Sequence, residues 1–144
     1  MNIQSIMTEN VRSIHPDEPI TAAARLLKRD NIGCLPVCDD SGHVAGMVTD
    51  RDIALRCVAA GLDPSQTTVS QIMTAGVYTL SPTDSVDAAA ETMRKAQVRR
   101  IPVTDKGRLC GIVSLGDLTA RCKCGRETMQ TITDLSSCVC NRSK

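Results

Sequence analysis

The stretch IMTENVRSIHPDEPITAAARLLKRDNIGCLPVCDDSGHVAGMVTDRDIALR, residues 6–56, returns as IMTAGVYTLSPTDSVDAAAETMRKAQVRRIPVTDKGRLCGIVSLGDLTAR, residues 72–121. A fixed offset carries Met7 onto Met73, Val11 onto Val77, Pro16 onto Pro82, Ala22-Ala23-Ala24 onto Ala88-Ala89-Ala90 and Pro36-Val37 onto Pro102-Val103. One residue is lost in the following turn, after which Gly42, Gly46 and Asp52 fall onto Gly107, Gly111 and Asp117. So many matches in order mean two copies of one supersecondary unit.

Within each copy the apolar pattern sets the elements. Ile20, Ala23, Ala24 and Leu27 recur at helical spacing after Pro19, with Asp17 and Glu18 placed to complement the positive end of the helix dipole. The helix fades at Asp30-Asn31. Cys34 to Cys38 is a short apolar strand, and Pro36 within it requires a position where no ladder donor is needed. The turn Asp39 to Gly42 leads to a second strand, His43 to Val48, so the pair reads as a hairpin. A second helix opens at Thr49, runs from Asp50 to about Ala60 and stops at Gly61. The second copy predicts a helix over 84–96, strands over 100–104 and 109–113, and a helix opening at Ser114. With extended 11–14 and 77–80 ahead, each copy is β-α-β-β-α and the fold class is α+β. The expected division is 1–65 for the first repeat with its N-terminal segment, 66–123 for the second, and 124–144 for a cysteine-containing tail.

Composition narrows the function. The chain has 144 residues, enough for one compact domain in which two half-length repeats share a core. Its 17 basic and 16 acidic residues leave a net charge of +1, too small a field to attract nucleic acid or an anionic membrane. It has no Trp, no Phe and one Tyr, so it lacks the stacking platforms of single-stranded nucleic-acid binders. No segment approaches the apolar length of a membrane span or a signal-peptide core, and a soluble cytoplasmic protein is the expectation. No Ser-His-Asp set, phosphate-binding glycine loop or HExxH helix is present, which argues against an enzyme.

The order of these motifs, twice over, resembles the CBS domain pair, the regulatory module named from cystathionine β-synthase. The residues that carry the resemblance are Leu35-Pro36-Val37 with Gly46-Met47-Val48-Thr49-Asp50-Arg51-Asp52, and Ile101-Pro102-Val103 with Gly111-Ile112-Val113-Ser114-Leu115-Gly116-Asp117. It implies two repeats packed with pseudo-two-fold symmetry and clefts between them for an adenosyl compound: AMP, ADP, ATP, S-adenosylmethionine or a dinucleotide. It also implies a homodimer that passes ligand occupancy to a regulated partner protein, with no obligatory cofactor.

For the site, the resemblance assigns Asp52 and Asp117 to a ribose and Thr49 and Ser114 to the neighbouring phosphate. The same residues also make the hydroxyl and carboxylate of a capping box, so two readings fit. Arg99 and Arg100 stand where the family places a phosphate-binding base, and the first copy has Gly33 and Cys34 there; a solvated strand end is the alternative. The base pocket is assigned to Pro19, Ile20 and Ala23 for one cleft and to Ser85, Val86 and Ala89 for the other, with plain helix packing as the alternative. His15 and His43 read as turn residues. Cys34, Cys38, Cys57 and Cys110 read as small buried apolar residues. Cys122, Cys124, Cys138 and Cys140 form two Cys-x-Cys pairs that zinc could bind, although one intervening residue is atypical of structural zinc; a reversible disulfide or no role are the alternatives. A metal- or redox-responsive protein acting through this tail, or a partner-binding scaffold with empty clefts, are the rival functions.

Overall fold

The computed structural model describes residues 1–121. They contain helices α1 (Ile20–Asp30), α2 (Asp50–Asp52), α3 (Val69–Ile72), α4 (Val86–Ala96) and α5 (Leu115–Arg121). The strands are β1 (Cys34–Cys38), β2 (Val44–Thr49), β3 (Thr74–Ala75), β4 (Arg100–Asp105) and β5 (Arg108–Ser114). The α+β class and the duplicated hairpin-helix pattern are as the sequence reads.

The residues cluster into two compact units whose membership differs from the repeats counted along the chain. One, the repeat-one unit, comprises Arg12–Val77 with Gly107–Leu109; the other, the repeat-two unit, comprises Met1–Val11, Tyr78–Lys106 and, among the described residues, 110–121. The N-terminal segment, grouped with the first repeat by sequence, thus packs with the second. Its Ile3 N–H donates to Asp84 O at 2.9 Å and its Gln4 N–H to Pro82 O at 3.0 Å. Ile3 and Ile6 sit in a core with Val86, Ala89, Met93, Ile101, Val103, Val113 and Leu118.

The two leader segments, Ile6-Met7-Thr8 and Ile72-Met73-Thr74, do the same job in different units. In the repeat-one unit β3 adds to the β1-β2 hairpin, with Gly46 opposite Ala75 and Met47 opposite Thr74. In the repeat-two unit Thr8 pairs with Ile112, each N–H donating to the other's carbonyl, at 2.9 and 3.0 Å. Each leader crosses a glycine closely. A Cβ on Gly46 would stand 2.6 Å from Thr74 O and 2.9 Å from Met73 Sδ, and one on Gly111 would stand 2.6 Å from Met7 Sδ and 3.0 Å from Thr8 O. Only glycine fits where backbone approaches backbone this closely.

The prolines of the hairpins are also accounted for. Ile14 N–H donates to Pro36 O at 3.0 Å and Cys38 N–H to Ile14 O at 2.9 Å, while Leu80 and Pro102-Thr104 repeat the pattern at 3.1 and 2.8 Å. A strand residue presents its N–H and C=O to the same side. Each proline therefore removes the next donor on that side, and the extended 11–14 and 77–80 segments shrink to single parallel bridges at Ile14 and Leu80.

Helix α1 buries Ile20, Ala23 and Leu27 and ends on Asn31 in the left-handed region. Its first-turn donors are met by backbone, Ile20 N–H by Thr67 O and Thr21 N–H by Pro64 O, so the 62–68 connector caps it. The helix expected from Asp50 to Ala60 is α-helical only over Asp50–Asp52 and continues as a π-helical segment, Ile53–Val58. Five-residue bonds from Ala59 N–H to Ala54 O and from Leu62 N–H to Cys57 O mark the widened turn, which keeps Cys57 fully buried.

The glycine crossings are tested by substitution. Gly46→Ala pushes a methyl onto a backbone carbonyl and is expected to lower unfolding stability by about 1–3 kcal/mol, whereas Gly111→Ala meets a flexible methionine first and costs about 1 kcal/mol. Denaturant titration of both variants gives the order; equal losses of under about 0.5 kcal/mol contradict it.

Candidate functional site at the strand-to-helix junctions

In each hairpin the second strand runs into a helix at the residues the sequence singles out. In the repeat-two unit, Ser114 N–H donates to Asp117 Oδ2 at 2.8 Å and Asp117 N–H donates to Ser114 Oγ at 3.1 Å. In the repeat-one unit, Thr49 N–H donates to Asp52 Oδ2 and Asp52 N–H to Thr49 Oγ1, both at 3.0 Å. Both are reciprocal capping boxes, so one carboxylate oxygen of each Asp is committed to holding its helix start. The first helical residue is pinned as well, Leu115 N–H to Arg99 O at 2.8 Å and Asp50 N–H to Gly33 O at 3.1 Å.

These shared bonds make the two junctions comparable residue by residue, and their rims differ in charge. Arg99, Arg100, Ser114, Leu115, Gly116 and Thr119 line a pocket of about 360 Å³ in the repeat-two unit. Both arginines are exposed, and among the described residues neither has a carboxylate within salt-bridge distance. The repeat-one junction has Gly33 and buried Cys34 in their places, and Asp50 where the other has Leu115. The Asp50 Oδ2 atom lies 3.7 Å from where a Cβ on Gly33 would be, so this rim carries a carboxylate beside the position Arg99 holds in the other.

The structure thus brings Arg99, Arg100 and Ser114 to one pocket, with Asp117 bonded beside Ser114 and outside the lining. Thr49 and Asp52 meet in the repeat-one unit. Pro19 precedes α1 and bridges to Thr68, while Ile20 and Ala23 are fully buried in that unit's core. Ser85 caps α4, its Oγ accepting Ala88 N–H at 3.1 Å, and Val86 and Ala89 are buried in the core of the repeat-two unit. Leu115, Gly116 and Thr119 were not singled out by sequence; the spacing of 115 and 119 on one helix face was the available signal.

The remaining histidines and cysteines are placed as follows among the described residues. His15 Nδ1 accepts the Asp17 N–H at 3.2 Å and His43 Nδ1 is 2.7 Å from Ser41 Oγ, both local turn contacts, while His15 Nε2 lies 2.9 Å from Asp40 Oδ1 in the hairpin turn. Among the described residues no group of three or more His, Cys, Asp or Glu is placed to hold a metal, and no helix is long and apolar enough to cross a membrane. Cys122, Cys124, Cys138 and Cys140 lie outside the described residues. Cys38, Cys57 and Cys110 are free thiols, and Cys34, Cys38 and Cys57 are buried. Burial pushes the Cys38 thiol up, Asp39 adding to this and a Ser13 hydrogen bond opposing it; burial also raises Cys110, with Asp105 and Glu9 adding to the effect.

Comparison with known proteins gives a consistent picture. The CBS domain family profile matches residues 3–58 and 69–123. The CBS domain-containing protein YhcV of Bacillus subtilis is 38% identical over 135 residues, spanning 94% of this chain and 95% of its own. Among solved structures, Hypoxic Response Protein I with two coordinated zinc ions aligns with a TM-score of 0.79 and 36% identity, covering 85% of this chain and 99% of its own. The CBS domain pair of MJ0100, in complex with 5′-methylthioadenosine and S-adenosyl-L-methionine, aligns with a TM-score of 0.73 and 31% identity over 83% of this chain and 93% of its own. CBSX2 in complex with AMP aligns with a TM-score of 0.72 and 25% identity, over 83% and 94%.

The thiol environments have a kinetic signature. A raised pKa leaves less thiolate at a given pH, so in the folded chain Cys38 and Cys110 are expected to alkylate at least about tenfold more slowly at pH 7.5 than in urea, the rate rising as pH is increased. Peptide mapping after timed iodoacetamide treatment reads this directly, and equal rates in the two conditions contradict it.

Proposed function

The chain belongs to the CBS-domain family, and on that premise we propose that it is a regulatory module that binds a phosphorylated adenine nucleotide at the repeat-two junction and passes its occupancy to a partner protein. The observation that carries this reading is the pair Arg99 and Arg100 on the rim of a pocket shared with Ser114, with no carboxylate beside them among the described residues. Two guanidiniums set for charge-assisted hydrogen bonds favour a phosphate there. The first-turn N–H groups of Leu115 and Asp117 are already bonded, so the positive charge comes from side chains rather than from the helix start.

In this reading Asp117 accepts the ribose hydroxyls through the oxygen its capping bond does not use, and Ser114 lies beside the phosphate. Asp52 and Thr49 hold the corresponding positions in the repeat-one unit, where the Asp50 carboxylate disfavours an anion. Neighbours of the same family in complex with AMP and with S-adenosyl-L-methionine support the adenosyl class. Exposed Leu55, Val58 and Leu62 support a homodimer. The reading is of a binding module, since the carboxylates Asp52 and Asp117 cap helices.

A ligand that binds only the folded state raises its melting temperature, and AMP at 100 times its Kd is expected to add about 2.7 kcal/mol, a shift of about 5–10 °C. The double variant Arg99→Ala/Arg100→Ala should lose that shift while its unliganded melting temperature stays within about 2 °C of wild type, because both side chains are exposed. A shift that survives the double substitution contradicts the proposed phosphate site.

A further inference from the structure

The repeat-one junction contains a connection that the capping box does not require. Asp52 Oδ2 is used by Thr49 N–H, and Asp52 Oδ1 faces Arg56 Nε at 3.8 Å. The same guanidinium donates through Nη1 to Ile72 O at 3.0 Å and to Thr74 Oγ1 at 3.2 Å. Asp52 is largely sheltered, its side chain 14% exposed against 51% for Arg56. Arg56 therefore spans from the carboxylate at the helix start to the leader that crosses Gly46.

That leader is anchored by buried Ile72 but ends in a short edge strand. Strand β3 is two residues long, both exposed, and it lies at the edge of the sheet with a single neighbour, β2. An edge strand with so few bonds opens at low free-energy cost, so one tether on Ile72 and Thr74 changes its opening measurably. The Asp52–Arg56 ion pair alone is long and half-exposed, a class of contact worth little by itself. Its effect comes from geometry: the guanidinium is held by two hydrogen bonds to the leader and one ion-pair contact to Asp52, and losing one redirects it relative to the others.

We propose that Arg56 is a positioning residue that couples the Asp52 carboxylate to the leader strand Thr74–Ala75, so that a hydroxyl-bearing ligand on Asp52 releases Arg56 and loosens the leader. The identity of that ligand as a nucleoside rests on the reading given above; the connection from Asp52 through Arg56 to the leader does not. By linkage, any group that loosens the leader also alters what Asp52 binds.

Amide hydrogen exchange of the full chain, read on peptides covering residues 72–76, tests this. Arg56→Gln and Asp52→Asn, the latter keeping a capping acceptor, should each speed exchange of the Thr74–Gly76 amides about two- to fivefold. The double variant should be no faster than the faster single variant, because both cut one path. Arg56→Lys, which keeps the charge and one donor, should fall between wild type and Arg56→Gln, and guards against a merely unfolded Arg56→Gln chain. An unchanged rate in Asp52→Asn, or effects that multiply in the double variant, overturns the proposal. Saturating 5′-methylthioadenosine, an uncharged adenosyl probe suited to a rim bearing Asp50, should speed the same amides in wild type and leave Arg56→Gln unmoved. If this probe fails to raise the melting temperature, the nucleoside reading of this junction fails, and the variant comparison still decides the connection. If it raises the melting temperature without moving the amides, the release of the leader is overturned.

Discussion

The close crossing of a leader segment over a glycine is the constraint on which the rest of each unit depends. The Thr74 carbonyl occupies the space a side chain at Gly46 would need, and Met7 with Thr8 O does so at Gly111. That approach fixes the register of the leader against the second strand of the hairpin, Met47 opposite Thr74 and Ile112 opposite Thr8. Since side-chain direction alternates along a strand, the register also fixes which residues reach the core. Val48 and Val113 point inward, and Thr49 and Ser114 end their strands as helix caps. A methyl group at either glycine would disturb the crossing and, through it, the junction three residues further on.

Duplication supplied the same backbone twice, and side chains then made the two junctions unequal. The bonds from Asp50 N–H to Gly33 O and from Leu115 N–H to Arg99 O are counterparts, as are the two capping boxes. On that common frame one junction carries two exposed arginines, and the other carries glycine, a buried cysteine and a carboxylate. An anion gains charge-assisted hydrogen bonds at the first and meets like charge at the second. The capping boxes themselves do not discriminate, because they are present and satisfied in both.

Much of this was legible in the sequence because it is local. Helical spacing of Ile20, Ala23 and Leu27 gave α1, the turn Asp39–Gly42 gave the hairpin, and Thr49-x-x-Asp52 and Ser114-x-x-Asp117 gave the helix starts. Pro36 correctly implied an unneeded donor, although that it limits its neighbour to one bridge appears only when Ile14 is seen beside it. The placement of Met1–Val11 with the second repeat was not legible, since a leader of identical pattern fits either hairpin and the choice is made by long-range packing of Ile3 and Ile6. The π-helical turn over Ile53–Val58 was missed as well: its residues are ordinary helix formers, and helical periodicity does not report a five-residue bond. Arg99, Arg100 and Ser114, named from their motif positions, line one pocket, whereas Ile20, Ala23, Val86 and Ala89 lie in the cores of their units.

The most direct test of the unequal-junction account is an NMR titration of the isotopically labelled chain with AMP, following backbone amides. The account predicts the largest shift changes at Arg99, Arg100, Ser114 and Gly116, with Gly33, Cys34 and Asp50 unmoved at the same nucleotide concentration. Equal changes at both junctions, or changes confined to Gly33 and Asp50, would contradict it.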